Sequence, residues 1–171
     1  LTDLDGLGGR VAGDLEARDT QLAAWHDSLN EFARTLADAV NTAHRQGYDL
    51  AGNAGGDFFT YDAANAAATL TVSSPLAGNP DLLAAAGAPG AAAGDGMNAA
   101  ALAALAEADL CSGGTQTLGE SYGDLLYRVG AAGQRAEEAV TARETLLESL
   151  DTQYSDEAGV SLDEEAVDIM R

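Results

Sequence analysis

The chain predicts a mainly α-helical protein: two long antiparallel helices with heptad seams, a short third helix and a small β-hairpin-like region. Three observations carry this. The first is composition, rich in Ala with only 5% aromatic residues, which favours long helices packed closely over thick β-sandwiches. The second is a pair of apolar seams at alternating three- and four-residue steps. The third is a dense turn cluster after the first seam, Gly52-Asn53 and Gly55-Gly56, running into two adjacent aromatics, Phe58-Phe59.

The first long helix is expected over residues 8–46. Leu15, Leu22, Trp25, Leu29, Phe32, Leu36, Ala39 and Ala43 make its seam, with Arg18 as the exception. Gly13 and Asp19-Thr20 are weak points where the helix is expected to kink or restart. Gly47 stands where a helix-stopping residue in the left-handed conformation is expected. The glycines that follow supply tight turns. Phe58 and Phe59 are two of only three Phe in the chain, so at least one should anchor the loop to a core.

Short strands are expected within 57–73. Ala67–Ser73 reads as β, with Thr69, Thr71 and Ser73 alternating against Leu70 and Val72, paired with a strand at Asp57–Tyr61. Asn79-Pro80-Asp81 should start a turn of helix reaching Ala86. Ala84–Gly96 reads as a flexible Ala/Gly loop, and 97–108 as a short helix with Leu102 and Leu105 inward. Cys111–Gln116 should link into a second long helix over 117–154. Thr117 and Glu120 fit a capping box at its start. Its seam is Tyr122, Leu126, Val129, Gly133, Ala136, Val140, Arg143, Leu147, Leu150 and Tyr154. Gly130 and Gly133 thin that seam where another backbone could approach. At 1.5 Å per residue this rod is roughly 50–55 Å long. Neither rod buries its stripe alone, hence the antiparallel packing. Ser161 and Glu164 open a further helix over 161–171.

With 171 residues the chain is expected to form one helical-rod domain, 1–171. Net charge is −20, with 28 Asp+Glu against 8 Arg and no Lys. No basic face exists for nucleic acid, and anionic membrane surfaces are disfavoured. Cys111 is the lone cysteine, so no internal disulfide forms and the thiol reads as a small structural residue. No transmembrane run or signal peptide is visible. Beginning at Leu1 and ending at Arg171 inside a helical pattern, the chain reads as an excised piece, so the missing signal bears little on export.

Candidate chemistry is thin. His26 and His44 have no Ser or Cys nucleophile near them in sequence, and His44 is read as a surface or cap residue at a helix C-terminus. Asp49, Asn53 and Asp57 invite a Ca²⁺ reading. Their four-residue spacing does not fit an EF-hand, which needs ligands at every second position and a late Glu, so turn chemistry is preferred. Asp163-Glu164-Glu165 is a carboxylate run whose members point in different directions on a helix. Gly6, Gly8 and Gly9 lack the strand-to-helix context and Lys of a phosphate loop. No catalytic residue, cofactor or metal ligand is nominated, and an enzyme is not expected.

The ordered blocks are more specific than any one of them. Leu7-Gly8-Gly9-Arg10-Val11-Ala12-Gly13, Ala17-Arg18-Asp19, the stretch Asn41–Phe59, Met97-Asn98-Ala99, Thr117–Tyr122 and Val129-Gly130 together resemble the flagellar hook-associated protein 1 (FlgK) family. Gly159–Ala166 resembles the start of the C-terminal segment shared by rod, hook and junction proteins of the axial family. The resemblance covers essentially the whole chain and is weakest over Tyr61–Asp95.

It implies a non-enzymatic structural subunit at the hook–filament junction of the bacterial flagellum, assembling by helical packing. Partners would be the hook protein, the second hook–filament junction protein and neighbouring copies. The location would be extracellular, after export through the flagellar channel without a cleaved signal. It also implies that the terminal helices of such subunits are missing here, and that Tyr61–Asn65 stands where some members insert a β-rich domain. The alternative is a helical binding module such as a secretion chaperone or adhesin fragment, which has no reason to carry Gly159–Ala166.

Overall fold

The computed structural model describes residues 9–92 and 94–158. The chain divides into two compact units, Leu1–Leu126 and Tyr127–Arg171. The first unit is built on a continuous helical run: α1 (Gly9–Glu16), a π-helical turn (Ala17–Leu22) and α2 (Ala23–Gln46). The π turn falls on Asp19-Thr20, the weak point of the sequence. There the helix widens instead of breaking, the common form of a single π insertion in an α-helix.

After α2 come β1 (Phe59–Thr60), α3 (Ala66–Thr69), β2 (Thr71–Val72) and α4 (Ser74–Gly78). A 3₁₀ turn (Pro80–Leu82) leads to α5 (Met97–Ala104), a 3₁₀ turn (Leu105–Glu107), β3 (Asp109–Cys111) and β4 (Gln116–Thr117). β1 and β2 pair antiparallel, Phe59 with Val72 and Thr60 with Thr71. β3 and β4 form a second antiparallel pair, irregular between Asp109 and Cys111. Cys111–Gln116, expected as a plain linker, is thus the turn of a small hairpin, with Ser112, Gly113 and Gly114 all at positive φ. Cys111 itself is buried.

The expected strand over Ala67–Ser73 is corrected: only Thr71–Val72 is strand, and Ala66–Thr69 is a helical turn. Three alanines favour helix intrinsically, and Asn30 Oδ1 accepts the Ala67 N–H at 2.9 Å. Thr69 turns its hydroxyl back to the Asn65 carbonyl at 2.7 Å. Its hydroxyl is therefore engaged locally and does not stand on a sheet face. The helix expected to run from Asn79 to Ala86 stops at Leu82, because Leu83 and the residues after it turn extended to reach Tyr48. Tyr48 N–H donates to Ala86 O at 2.9 Å, and Ala86 N–H returns to Tyr48 O at 3.1 Å.

The most buried face of α2 is Asn30, Ala33, Ala37, Asn41 and His44. It lies one residue round from the expected Leu/Trp seam, of which Leu22 is 53% and Leu29 38% exposed. The packing partners explain this rotation. α2 meets α3, α5, β1 and β3, short pieces whose backbone groups need hydrogen-bond partners when buried. Asn and His provide them; Leu cannot.

The last described helix, α6 (Leu118–Ala158), has 41 residues, about 60 Å of rod. Its start is the expected capping box: Thr117 N–H donates to Glu120 Oε2 at 2.9 Å, and Glu120 N–H donates to Thr117 Oγ1 at 3.2 Å. Within the first unit Leu125 is buried, and Tyr122 lies against Phe32 with ring centroids 5.7 Å apart. In the second unit Val140, Leu147, Leu150 and Tyr154 are all exposed, so the apolar seam is real as a stripe but uncovered. The helix expected over 161–171, with Asp163-Glu164-Glu165, lies outside the described residues.

Candidate functional site: a polar clamp at the end of the first long helix

The stretch Asn41–Phe59 is held by side chains that α2 sends out on its last two turns. Asn41, 5% exposed, accepts at Oδ1 from the N–H groups of Phe58 (2.9 Å) and Phe59 (2.8 Å). Its Nδ2 donates to the Phe59 carbonyl at 3.0 Å. One amide thereby serves three backbone groups and sets where β1 begins. Asn30, about three turns upstream, accepts the Ala67 N–H of α3 and also donates to His26 Nδ1 at 3.0 Å.

His44 is the largest fully buried side chain among the described residues, 1% exposed. This corrects the surface-residue expectation. Nδ1 bonds the Gly56 carbonyl at 2.8 Å and Nε2 accepts the Ala84 N–H at 2.9 Å. The two partners assign the proton to Nδ1. His44 also meets Phe58 edge-on at 5.4 Å, and Phe58 meets Phe59 at 4.7 Å. Phe58 is thus the anchoring aromatic that the sequence calls for. Asn98 completes the clamp from α5, with Nδ2 donating to Ala84 O at 2.6 Å.

Two glycines make room for this. Gly47 ends α2 at φ −90°, ψ 178°, extended backbone and not the left-handed conformation expected of it. Glycine is required there by space: a Cβ would overlap the Asn98 side chain and Ala84 O. At Gly55 a Cβ would overlap His44 O and the Ala84 side chain.

Asp49 closes the loop on itself. Oδ1 accepts from Ala51 N (2.9 Å) and Asn53 N (2.8 Å), and Oδ2 from Asn53 Nδ2 at 3.2 Å. These bonds, Asn53 N–H foremost, hold the Asp49 carboxyl below the usual carboxylate range. Asp57 turns instead to Arg45, whose Nε approaches Oδ1 at 2.6 Å on the exposed side. Turn chemistry accounts for Asp49 and Asn53 of the suspected Ca²⁺ set, and an ion pair with Arg45 for Asp57; among the described residues no group of three or more His, Cys, Asp or Glu could hold a metal ion. Asp95 does similar work across the Ala/Gly loop. It accepts from Gly87 N (2.9 Å) and Met97 N (3.0 Å), and its carboxyl is likewise lowered, by Gly87 first.

Sequence reasoning missed Asn30, Asn41, His44 and Asn98 as the working residues. A signal existed for three of them: Asn30, Ala33, Ala37, Asn41 and His44 repeat at helical spacing, a second stripe beside the Leu seam.

What this arrangement can do is hold shape. It fixes a loop and two short elements on the end of a rod, and so defines a helical structural domain with a rigidly seated side loop. The comparisons agree in kind. Residues 2–59 match the family model described as the helical domain of flagellar hook-associated protein FlgK. The chain is 30% identical over 150 residues to flagellar hook-associated protein 1 of Bacillus subtilis (strain 168), covering 84% of this chain and 29% of that protein. It is 40% identical over 52 residues to flagellar hook-associated protein 1 of Salmonella typhimurium, 30% of this chain and 9% of that one. Residues 2–59 therefore match the FlgK helical domain, and the chain is similar to flagellar hook-associated protein 1. It spans under a third of the length of the curated relatives it matches.

Proposed function

We propose that the protein containing this chain is a structural, non-enzymatic subunit of the bacterial flagellum at the hook–filament junction. The observation that carries the reading is the similarity to flagellar hook-associated protein 1 over 150 residues. The physical design is in keeping with it: long helices for stiffness and a loop seated by buried hydrogen bonds.

In this reading the subunit works outside the cell, after export through the flagellar channel. It stacks between the hook protein and the second junction protein and against copies of itself. The single helical-rod domain over 1–171, with its two rods antiparallel, belongs to that assembled state. There helix packing would cover the apolar stripe of α6, which burial favours at about 25 cal/mol per Å² of apolar surface. Nothing favours a chaperone or an adhesin fragment.

The test is reconstitution. Full-length protein added to hooks isolated without junction proteins should cap their distal ends in electron micrographs, and uncapped hooks at saturating protein would refute the assignment.

A further inference from the structure

A cavity of about 360 Å³ opens beside the clamp, within the first unit, inside the about 300–1,000 Å³ range of small-molecule and side-chain pockets. Its lining is apolar at Pro75, Leu76 and Leu82 and acidic at Asp49 and Asp57, of which Asp57 lies at the surface and is already shared with Arg45. His44 lines it too, but both ring nitrogens are already bonded, so the imidazole offers the cavity no free acceptor. Asp49 Oδ2 receives a single long N–H bond, 3.2 Å from Asn53, which leaves acceptor capacity. Ser73 is a second and independent observation. It lines the cavity, is 4% exposed, and none of the described residues hydrogen-bonds its hydroxyl, which keeps contact with the open space.

An unpaired hydroxyl and the spare acceptor capacity of Asp49, with Asp57 shared with Arg45 at the surface, beside an aliphatic lining suit one chemistry. The ligand is a cation on an apolar stem, in which the methylenes lie on Leu76 and Leu82 and the head meets the oxygens. We infer that this cavity receives a cationic side chain, arginine before lysine, presented by a different protein. Arginine is preferred because its planar fork engages two acceptors at once. A second copy of this chain is the poorer donor. Each copy carries a net charge of −20, so two copies repel while a basic partner surface is drawn in. This inference stands on the cavity alone and does not depend on the flagellar reading.

The experiment is an NMR titration of the ¹⁵N-labelled chain at low salt. N-acetyl-arginine-N-methylamide is the probe, its norleucine analogue the neutral control, and spermidine the arm for a free polyamine. The arginine probe should give saturable shifts centred on Gly56, Asp57, Ser73 and Leu76, with none from norleucine. Asp57→Asn, at a half-exposed position that leaves the fold intact, and Ser73→Ala should each weaken binding about threefold. Glu138→Gln, far along the exposed helix, should leave it unchanged. Equal shifts from norleucine, or arginine binding indifferent to both cavity variants, would overturn the inference. So would spermidine bound as tightly at the same amides, which would make the ligand a free polyamine.

Discussion

The clamp and the far part of α6 solve opposite problems with opposite residues. Around Asn41–Phe59 the chain is short, irregular and rich in glycine, yet its backbone groups are met by Asn41 and His44 from inside the fold, and Asn98 meets the neighbouring Ala84 carbonyl. From Tyr127 to Ala158 the backbone satisfies itself as a helix, and Val140, Leu147, Leu150 and Tyr154 lie exposed along it. In the first region irregular backbone is bought by polar burial. In the second, regular backbone leaves apolar surface for something else to cover. A buried hydrogen bond left half-made costs roughly 1–3 kcal/mol, whereas an exposed helix side chain carries little, so the first region should be brittle and the second forgiving.

The largest blow to that contrast is steric. Gly55→Val places branched carbon against His44 O and Ala84, and should cost about 4 kcal/mol or more, or prevent folding. Urea unfolding near wild-type stability would show that the loop is not seated as described. Next comes His44→Ala, which leaves a cavity and strands Gly56 O and Ala84 N–H, for roughly 2–4 kcal/mol. Its counterpart Leu147→Ala should cost under about 0.5 kcal/mol in the isolated chain. Comparable losses for the two would abolish the distinction between regions.

At the boundary, Thr117→Ala removes one half of the capping box. It should cost about 1 kcal/mol, read as faster amide exchange in the first turn of α6 with the Asn41–Phe59 amides unchanged. The smallest effect is acid. Asp49 and Asp95 are held below the usual carboxylate range by backbone N–H groups, Asn53 and Gly87 first. Their contribution is therefore complete above the unfolded value of about 3.9 and is lost as pH falls from there toward the lowered folded values. The Asp49→Asn/Asp95→Asn double variant should show a flatter loss of stability as pH falls below the unfolded carboxylate value of about 3.9. An identical slope would place the acid sensitivity elsewhere.

The elements legible in the sequence were those whose information is local. Thr117 and Glu120 lie three apart and form their box without help from elsewhere, and Asp49, Ala51 and Asn53 make their turn within five residues. Asp19-Thr20 marks the π turn for the same reason: weak helix formers act where they stand. Gly47 shows the limit of such reasoning. A glycine after a helix suggests left-handed backbone, but its true cause is Asn98, fifty-one positions away, and no local rule points there.

The residues at hand thus determined by themselves the helical class, the two long helices, the cap of α6 and the chemistry of the turns, because propensity and i to i+4 contacts suffice for these. Only tertiary structure decided which stripe of α2 is buried, since that depends on what arrives to pack against it. The arrivals are short segments with unmet N–H and C=O groups, so Asn30, Asn41 and His44 went inside while Leu22 and Leu29 stayed partly out. A periodicity of apolar residues records the cost of exposing carbon. It is blind to the cost of burying an unpaired amide, and at this site the second cost governs the packing.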